Sequence, residues 1–261
     1  MSGEIKLPGS LQEQNIGDPV GLNTPWTGTI MDQSWFNSPR FAKYREPGNI
    51  KVPCWLQSKT HYVGAAWFQR DIKLDESWAG SRAVLTLERT HWESRLWLNG
   101  REMGMRNSLS TPHEYDLGIL PEAGNYQITI CVDNRIKEIN VGQNAHSVSD
   151  HTQSNWNGIV GKLCLKRNNP SMWVDELQFF PDLKQNKDRV KLTISSPMGM
   201  SKGVYYTWSL RDKTGVVIKQ SKPAHTTSEY TDAAIDWDIW VYPPAVQTDQ
   251  GEVLIVDNLD E

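Results

Sequence analysis

The chain has 261 residues, a formal net charge of −4, and 27 Lys and Arg residues scattered without a basic stripe, which argues against nucleic acid as a partner. No apolar run approaches the ~20 residues that a membrane-spanning helix needs, so no membrane partner is expected. Three cysteines, Cys54, Cys131 and Cys164, are too few for a disulfide framework and read as small buried hydrophobes.

The opening, "MSGEIKLPGS", lacks the charged-then-apolar pattern of a secretory leader. From Val63 onward the pattern is strand after strand, punctuated by turn residues. "AAWFQRDIKL" (65–74) alternates, with Trp67, Gln69 and Asp71 on one face and Phe68, Arg70 and Ile72 on the other. "SRAVLTLERT" (81–90) groups Ala83, Leu85 and Leu87. "HWESRLWLNG" (91–100) separates Trp92, Ser94, Leu96 and Leu98 from His91, Glu93, Arg95 and Trp97. Its closing Asn99-Gly100 is a two-residue hairpin signal, because both residues tolerate positive φ, and "REMGM" is the return strand. "YDLGILPEAG" is a weak helical candidate, short and interrupted by Pro121. "GNYQITICVDN" (124–134) groups Tyr126, Ile128, Ile130 and Val132, and "GKLCLKR" (161–167) closes this half.

"RNNPS" (167–171) reads as a linker. A second strand series follows in "WVDELQFFPDL", "RVKLTISS", "VYYTWSLRD" and "GVVIKQS", with "DKTG" as a hairpin turn. "TDAAIDWDIWVYPP" supplies a last strand, and the apolar run in "GEVLIVDNLDE" suits the first strand of a further α/β domain. No apolar period of 3.6 residues is sustained over helical length, so the fold class expected is all-β, a sandwich or a barrel. Twelve Trp against five Phe suit either a sandwich core or a sugar-binding face, where pyranose C–H groups stack on indole.

At "YVGAAWFQRDIKL", "RLWLNGREMGM", "SLSTPHEYDL", "ICVDN" and "WNGIVGKLCL" the chain resembles the N-terminal sugar-binding domain of glycoside hydrolase family 2. That family includes β-galactosidases, β-glucuronidases and β-mannosidases. The resemblance covers roughly 50–167 and implies a galactose-binding-domain-like jelly roll over 1–167 and an immunoglobulin-like sandwich over 168–244. Residues 245–261 would then begin a further, truncated domain. In the family a (β/α)₈ barrel with two catalytic glutamates comes next. Nothing in this chain alternates strand and helix as such a barrel does, so it is expected to be a fragment that hydrolyses nothing alone. Glu88 and Glu93 are not read as a glycosidase pair.

The resemblance also gives the loop "DHTQSNWNGIVG" (150–161) a candidate role. In the family's galactosidases and glucuronidases, an acid just before the "GI" reaches into the barrel and hydrogen-bonds the terminal sugar. The nearest acid here, Asp150, lies about two residues further from Gly158 than that pattern, and Thr152 occupies the expected offset. Two readings follow for Asp150: a sugar contact at the rim beside Gln153 and Asn155, or a loop brace bonded to backbone. Trp156 is expected to anchor the loop by burying its ring, with Asn157-Gly158 turning into the strand near Lys162.

His91 and Trp92 form a second candidate sugar contact, weighed against simple packing, and His113 is read as a structural hydrogen-bonding residue. Asp236 and Asp238 flank Trp237 but offer too few oxygens for calcium. With no His/Cys cluster at zinc spacing and no Gly-rich phosphate loop, neither metal nor cofactor is expected. The partners expected are a β-linked glycoside and a C-terminal catalytic domain of the same chain. The alternative is a carbohydrate-binding or scaffolding module in a protein without a glycosidase barrel. Family habit would place either in a periplasm or outside the cell.

Overall fold

A computed structural model of the chain describes residues 3–27, 34–51, 56, 58–137, 150, 153–182, 184, 187–196, 204–226, 230–236, 253–255 and 259–260. Cys54, Thr152, Trp237 and Asp238 lie outside the described residues. The chain divides into two compact units, 1–168 and 169–261.

The first unit is a two-sheet β-sandwich built from the alternation read above. One sheet has four antiparallel strands in the order Ala65–Leu74, Gly124–Asp133, Glu93–Leu98, Arg101–Arg106. The other has three, Leu163–Asn168, Arg82–Leu87 and His113–Ile119, again antiparallel. Phe68, Leu96, Ile128, Ile130 and Val132 of the first sheet share one core with Leu85, Leu87, Tyr115 and Leu117 of the second. Each large aliphatic side chain so buried contributes on the order of 1.5–3 kcal/mol. Asn99 and Gly100 turn the hairpin with φ of +49° and +79°, as their residue types predict.

The weak helical candidate "YDLGILPEAG", set aside above as short and Pro-interrupted, begins as a strand. Tyr115 and Leu117 alternate into the core on the strand His113–Ile119, opposite Leu85 and its neighbours. A bulge between Ala83 and Val84, with Gly118 at φ +79°, fits the extra residue into the ladder.

A third, small sheet joins distant segments: Gly9–Ser10 and Thr90–His91 flank Gly158–Ile159. Beside it, Trp35 packs with Val20, Trp26, Phe36, Phe41 and Ile50 around the one-turn helix Ser34–Asn37.

The second unit has three antiparallel three-stranded sheets among its described residues. The longest joins Trp173–Asp182, Lys187–Ser195 and Tyr230–Asp236, and Met172, Leu192 and Ile194 are buried there. "DKTG" turns as predicted: the Gly215 amide donates to the Asp212 carbonyl at 2.9 Å, with φ +87° at Gly215. Two short strands are described within 245–261. Val253–Ile255 pairs antiparallel with Ser209–Arg211, and Leu259–Asp260 with Tyr205–Tyr206. An apolar run offered to an open strand edge is paired by it.

Candidate carbohydrate site

Among the described residues of the loop at 150–161, Asp150, Ser154, Asn155 and Asn157 are buried, so their polar groups need partners. Amide side chains supply them, because each carries a donor and an acceptor. Asn134, the last residue of "ICVDN", is wholly buried. Its Nδ2 donates to the Tyr62 carbonyl at 2.8 Å and the Trp156 carbonyl at 3.1 Å. Its Oδ1 accepts from the Gly64 amide at 2.8 Å. Asn155 donates back to the Asn134 carbonyl at 3.1 Å. Asn157 donates to the carbonyls of Gly64 and Val132, both at 3.0 Å, and its own amide donates to Gln12 Oε1 at 3.2 Å.

Asp150 belongs to the same framework. It is 0% exposed, so the expected place at the rim is corrected. Its Oδ2 accepts from the Thr27 amide and its Oδ1 from the Asn155 amide, both at 2.6 Å. His61 Nε2 stands 3.5 Å from Oδ2, and Trp26 meets the His61 ring edge-on with centroids 5.3 Å apart. Two short backbone N–H bonds to one carboxylate are charge-assisted and account for its burial. The loop-bracing reading describes this geometry.

Trp156 is half-buried rather than buried. Its ring stacks on His91 with centroids 4.6 Å apart and planes 28° from parallel, and its carbonyl lies 2.7 Å from His91 Nδ1. Asn157-Gly158 forms no turn; Gly158–Ile159 is itself the central strand of the small sheet. Gly158 has φ +150°, and a Cβ there would lie 2.5 Å from the Gly9 carbonyl oxygen, so only glycine permits this approach.

The second sequence candidate has another geometry. His91 and Trp92 are both buried, so neither is an exposed stacking platform. Trp92 Nε1 donates to the Arg135 carbonyl at 3.0 Å. Beside them, Glu93 faces Asp133 across the strands, and Lys137 Nζ bridges them at 3.0 and 2.7 Å. Burial alone would raise the Asp133 carboxyl, but hydrogen bonds from Arg135 and Lys137 outweigh it and hold the group far below the usual carboxylate range. Glu93 is thus committed to ion pairs. His113 is the structural residue expected: Nδ1 lies 2.6 Å from Ser94 Oγ and Nε2 2.8 Å from the Ser108 carbonyl. Burial pushes its pKa down.

Above this framework lies a groove of about 530 Å³. Gln153, Asn155 and Trp156 line it, together with Gln12, Glu13 and Lys59. A half-exposed indole among amides and hydroxyls suits a polyhydroxylated ligand. Of the candidates, Gln153, Asn155 and Trp156 line this groove; Asp150, Asn157 and Gly158 are buried and do not line it. Gln12, His61 and Asn134 are missed by the sequence reading. Only Asn134 carried a signal, as the terminal residue of a quoted motif.

The family model "Glycosyl hydrolases family 2, sugar binding domain" matches residues 28–168, more than half of the chain. A curated β-glucuronidase of Felis catus is 26% identical over 120 residues, a match covering 40% of this chain and 18% of that enzyme. The matched part thus spans less than a fifth of that relative's length. Among solved structures, a family 2 glycosyl hydrolase from Bacteroides cellulosilyticus is similar with TM-score 0.57 at 14% identity, covering 88% of this chain and 26% of that one. The β-glucuronidase of Bifidobacterium dentium complexed with coumarin-3-O-glucuronide gives TM-score 0.52 at 18% identity, covering 76% and 34%. At these identities the structural likeness establishes the fold, and the family assignment rests on the matched domain. The chain belongs to glycosyl hydrolase family 2 and carries that family's sugar-binding domain.

Proposed function

We propose that this chain is the non-catalytic, carbohydrate-contacting portion of a family 2 glycosidase. In this reading it shapes the sugar site of a catalytic barrel supplied by a C-terminal domain of the same protein. The first unit carries the sugar-contacting groove, and the second is an immunoglobulin-like sandwich between it and the barrel. The single observation that supports the reading is the groove itself. A loop braced by Asp150, Asn134 and Asn157 holds Gln153 and the half-exposed Trp156 at its edge. Such a braced rim is what a sugar subsite shared with another domain requires, since a functional side chain needs a rigid supporting shell. Gln153 and Trp156 then meet the sugar, while Asp150 positions them. Substrate is a β-linked glycoside, and the carboxylates that hydrolyse it belong to the barrel.

The test is turnover. The 261-residue chain and the product of the complete reading frame are assayed against nitrophenyl β-glucuronide, β-galactoside and β-mannoside. The reading expects no turnover by the chain and turnover of at least one glycoside by the complete product. Hydrolysis by the chain alone, or a complete product with no barrel, contradicts it.

A further inference from the structure

The outer face of the four-stranded sheet presents a second aromatic site, away from the loop. Trp67, on Ala65–Leu74, and Trp97, on Glu93–Leu98, flank the central strand Gly124–Asp133 from either side. In register they oppose Cys131 and Thr129 respectively, so they sit on a diagonal across that strand. Their rings meet over it, with centroids 5.1 Å apart and planes 33° from parallel. Cys131 shares this outward face yet is only 7% exposed, as a residue roofed by its neighbours would be. Trp67 itself is 62% exposed. The core does not need this indole, because Phe68 and Ile130 already fill the inner face of the same strands.

The surroundings of the indole pair are polar and internally ordered. Thr129 Oγ1 donates to Gln69 Oε1 at 3.2 Å, and Gln127 Nε2 donates to Asp71 Oδ1 at 3.2 Å. Arg95 lies between two carboxylates, 3.6 Å from Glu93 and 3.6 Å from Glu102. A stacked aromatic pair with amide, hydroxyl and carboxylate heads alongside matches one ligand chemistry. A pyranose offers a flat C–H face to the indole and a rim of hydroxyls to the heads beside it. A nucleic acid would want unpaired cations, and Arg95 is held by carboxylates. A protein partner would want more apolar area, and among the described residues of this face only Met105 adds to the two indoles as an exposed apolar side chain.

We propose that Trp67 and Trp97 form a surface platform for a neutral β-linked glycan, separate from the Trp156 groove. Equatorial linkages keep successive pyranose rings flat, so one ring stacks on Trp67 while Gln69 and Asp71 bond its hydroxyls. The platform does not depend on a catalytic barrel and stands or falls independently of the function proposed above.

The experiment is affinity electrophoresis of the 261-residue chain in native gels holding a mixed-linkage β-glucan, a β-1,4-mannan or a β-1,4-xylan. At least one polysaccharide should retard the chain. Trp67→Ala should weaken that retardation at least tenfold while the chain still melts cooperatively, because Trp67 is exposed and outside the core. Phe179→Ala, at an exposed aromatic residue of the second unit, should leave the retardation unchanged. Trp97 is half-buried, so Gln69→Ala replaces Trp97→Ala if the latter fails to fold, and it too should weaken retardation. No retardation by any of the three, or retardation that Trp67→Ala leaves intact, overturns the proposal. So does a chain that sediments as a dimer and becomes monomeric on Trp67→Ala, since a second copy would then occupy the face.

Discussion

Asn134→Ala removes one side chain but strands two polar groups. The Gly64 amide loses its acceptor and Asn155 Oδ1 its 3.2 Å donor, while the Tyr62 carbonyl keeps Gln12 Nε2 at 3.5 Å. The Trp156 carbonyl keeps His91 and is spared. Each buried group left unpaired costs about 1–3 kcal/mol, so the two together cost about 2–6 kcal/mol. Domains of this size have only about 5–15 kcal/mol in total. With a urea slope of about 1–3 kcal/mol per molar, the midpoint of the first unit should fall by on the order of 1–2 M. The isosteric Asn134→Asp separates geometry from chemistry. It keeps the acceptor for Gly64 but turns a carboxylate toward the carbonyls of Tyr62 and Trp156. Burial and those carbonyls raise its folded pKa above the unfolded value near 3.9, so the folded state binds the extra proton. Stability of this variant should therefore be greatest at low pH and fall as pH rises through its folded pKa. Urea melts of the parent and both variants, with hydrogen exchange of the 153–161 backbone, decide the matter. If Asn134→Ala melts within about 0.5 kcal/mol of the parent, the amide network does not hold the loop.

Three further outcomes follow from the same geometry. His113 is buried with a lowered pKa, so its contribution is complete above the unfolded value near 6.5 and erodes as pH falls below it; urea midpoints between pH 8 and 5 should show a slope that His113→Gln flattens. Gly158→Ala places a Cβ 2.5 Å from the Gly9 carbonyl oxygen and 2.7 Å from Ser10 Cα, and should destabilise the first unit by about 2–5 kcal/mol, read by denaturant melts. Residues 1–168 should melt cooperatively alone, whereas 1–123 should not, because that cut removes Gly124–Asp133 from the middle of its sheet and Leu163–Asn168 from the other; a cooperative melt of 1–123 by circular dichroism would refute the layout.

The strands of the first sandwich were legible because alternation and burial coincide in them. Tyr126, Ile128, Ile130 and Val132 fall on one face in the sequence and in the core. His113–Ile119 was obscured where Gly118 bulges the strand and interrupts the two-residue period. The loop at 150–161 showed its unusual composition but not its purpose. An Asn or Asp in a row of amides reads alike whether it faces water, a ligand or a carbonyl far away in sequence. The bonds that bury Asp150 and Asn157 come from Thr27 and Gln12, more than a hundred residues upstream, and no local pattern announces them. Trp67, Trp92 and Trp156 illustrate the same limit of composition. One is exposed, one buried and one stacked at a groove, although an excess of Trp in the composition leaves core and sugar-facing readings equally open.

The central claim is that a braced loop presents Gln153 and Trp156 to a sugar bound jointly with a catalytic domain. Steady-state kinetics of the complete reading-frame product test it most directly, comparing the parent with Gln153→Ala, Trp156→Ala and the surface variant Trp67→Ala on the best nitrophenyl glycoside. The account predicts that kcat/KM falls at least tenfold in both groove variants, about 1.4 kcal/mol or more of transition-state binding, while Trp67→Ala matches the parent on this small substrate. Groove variants that remain folded and retain the parent's kcat/KM would contradict it.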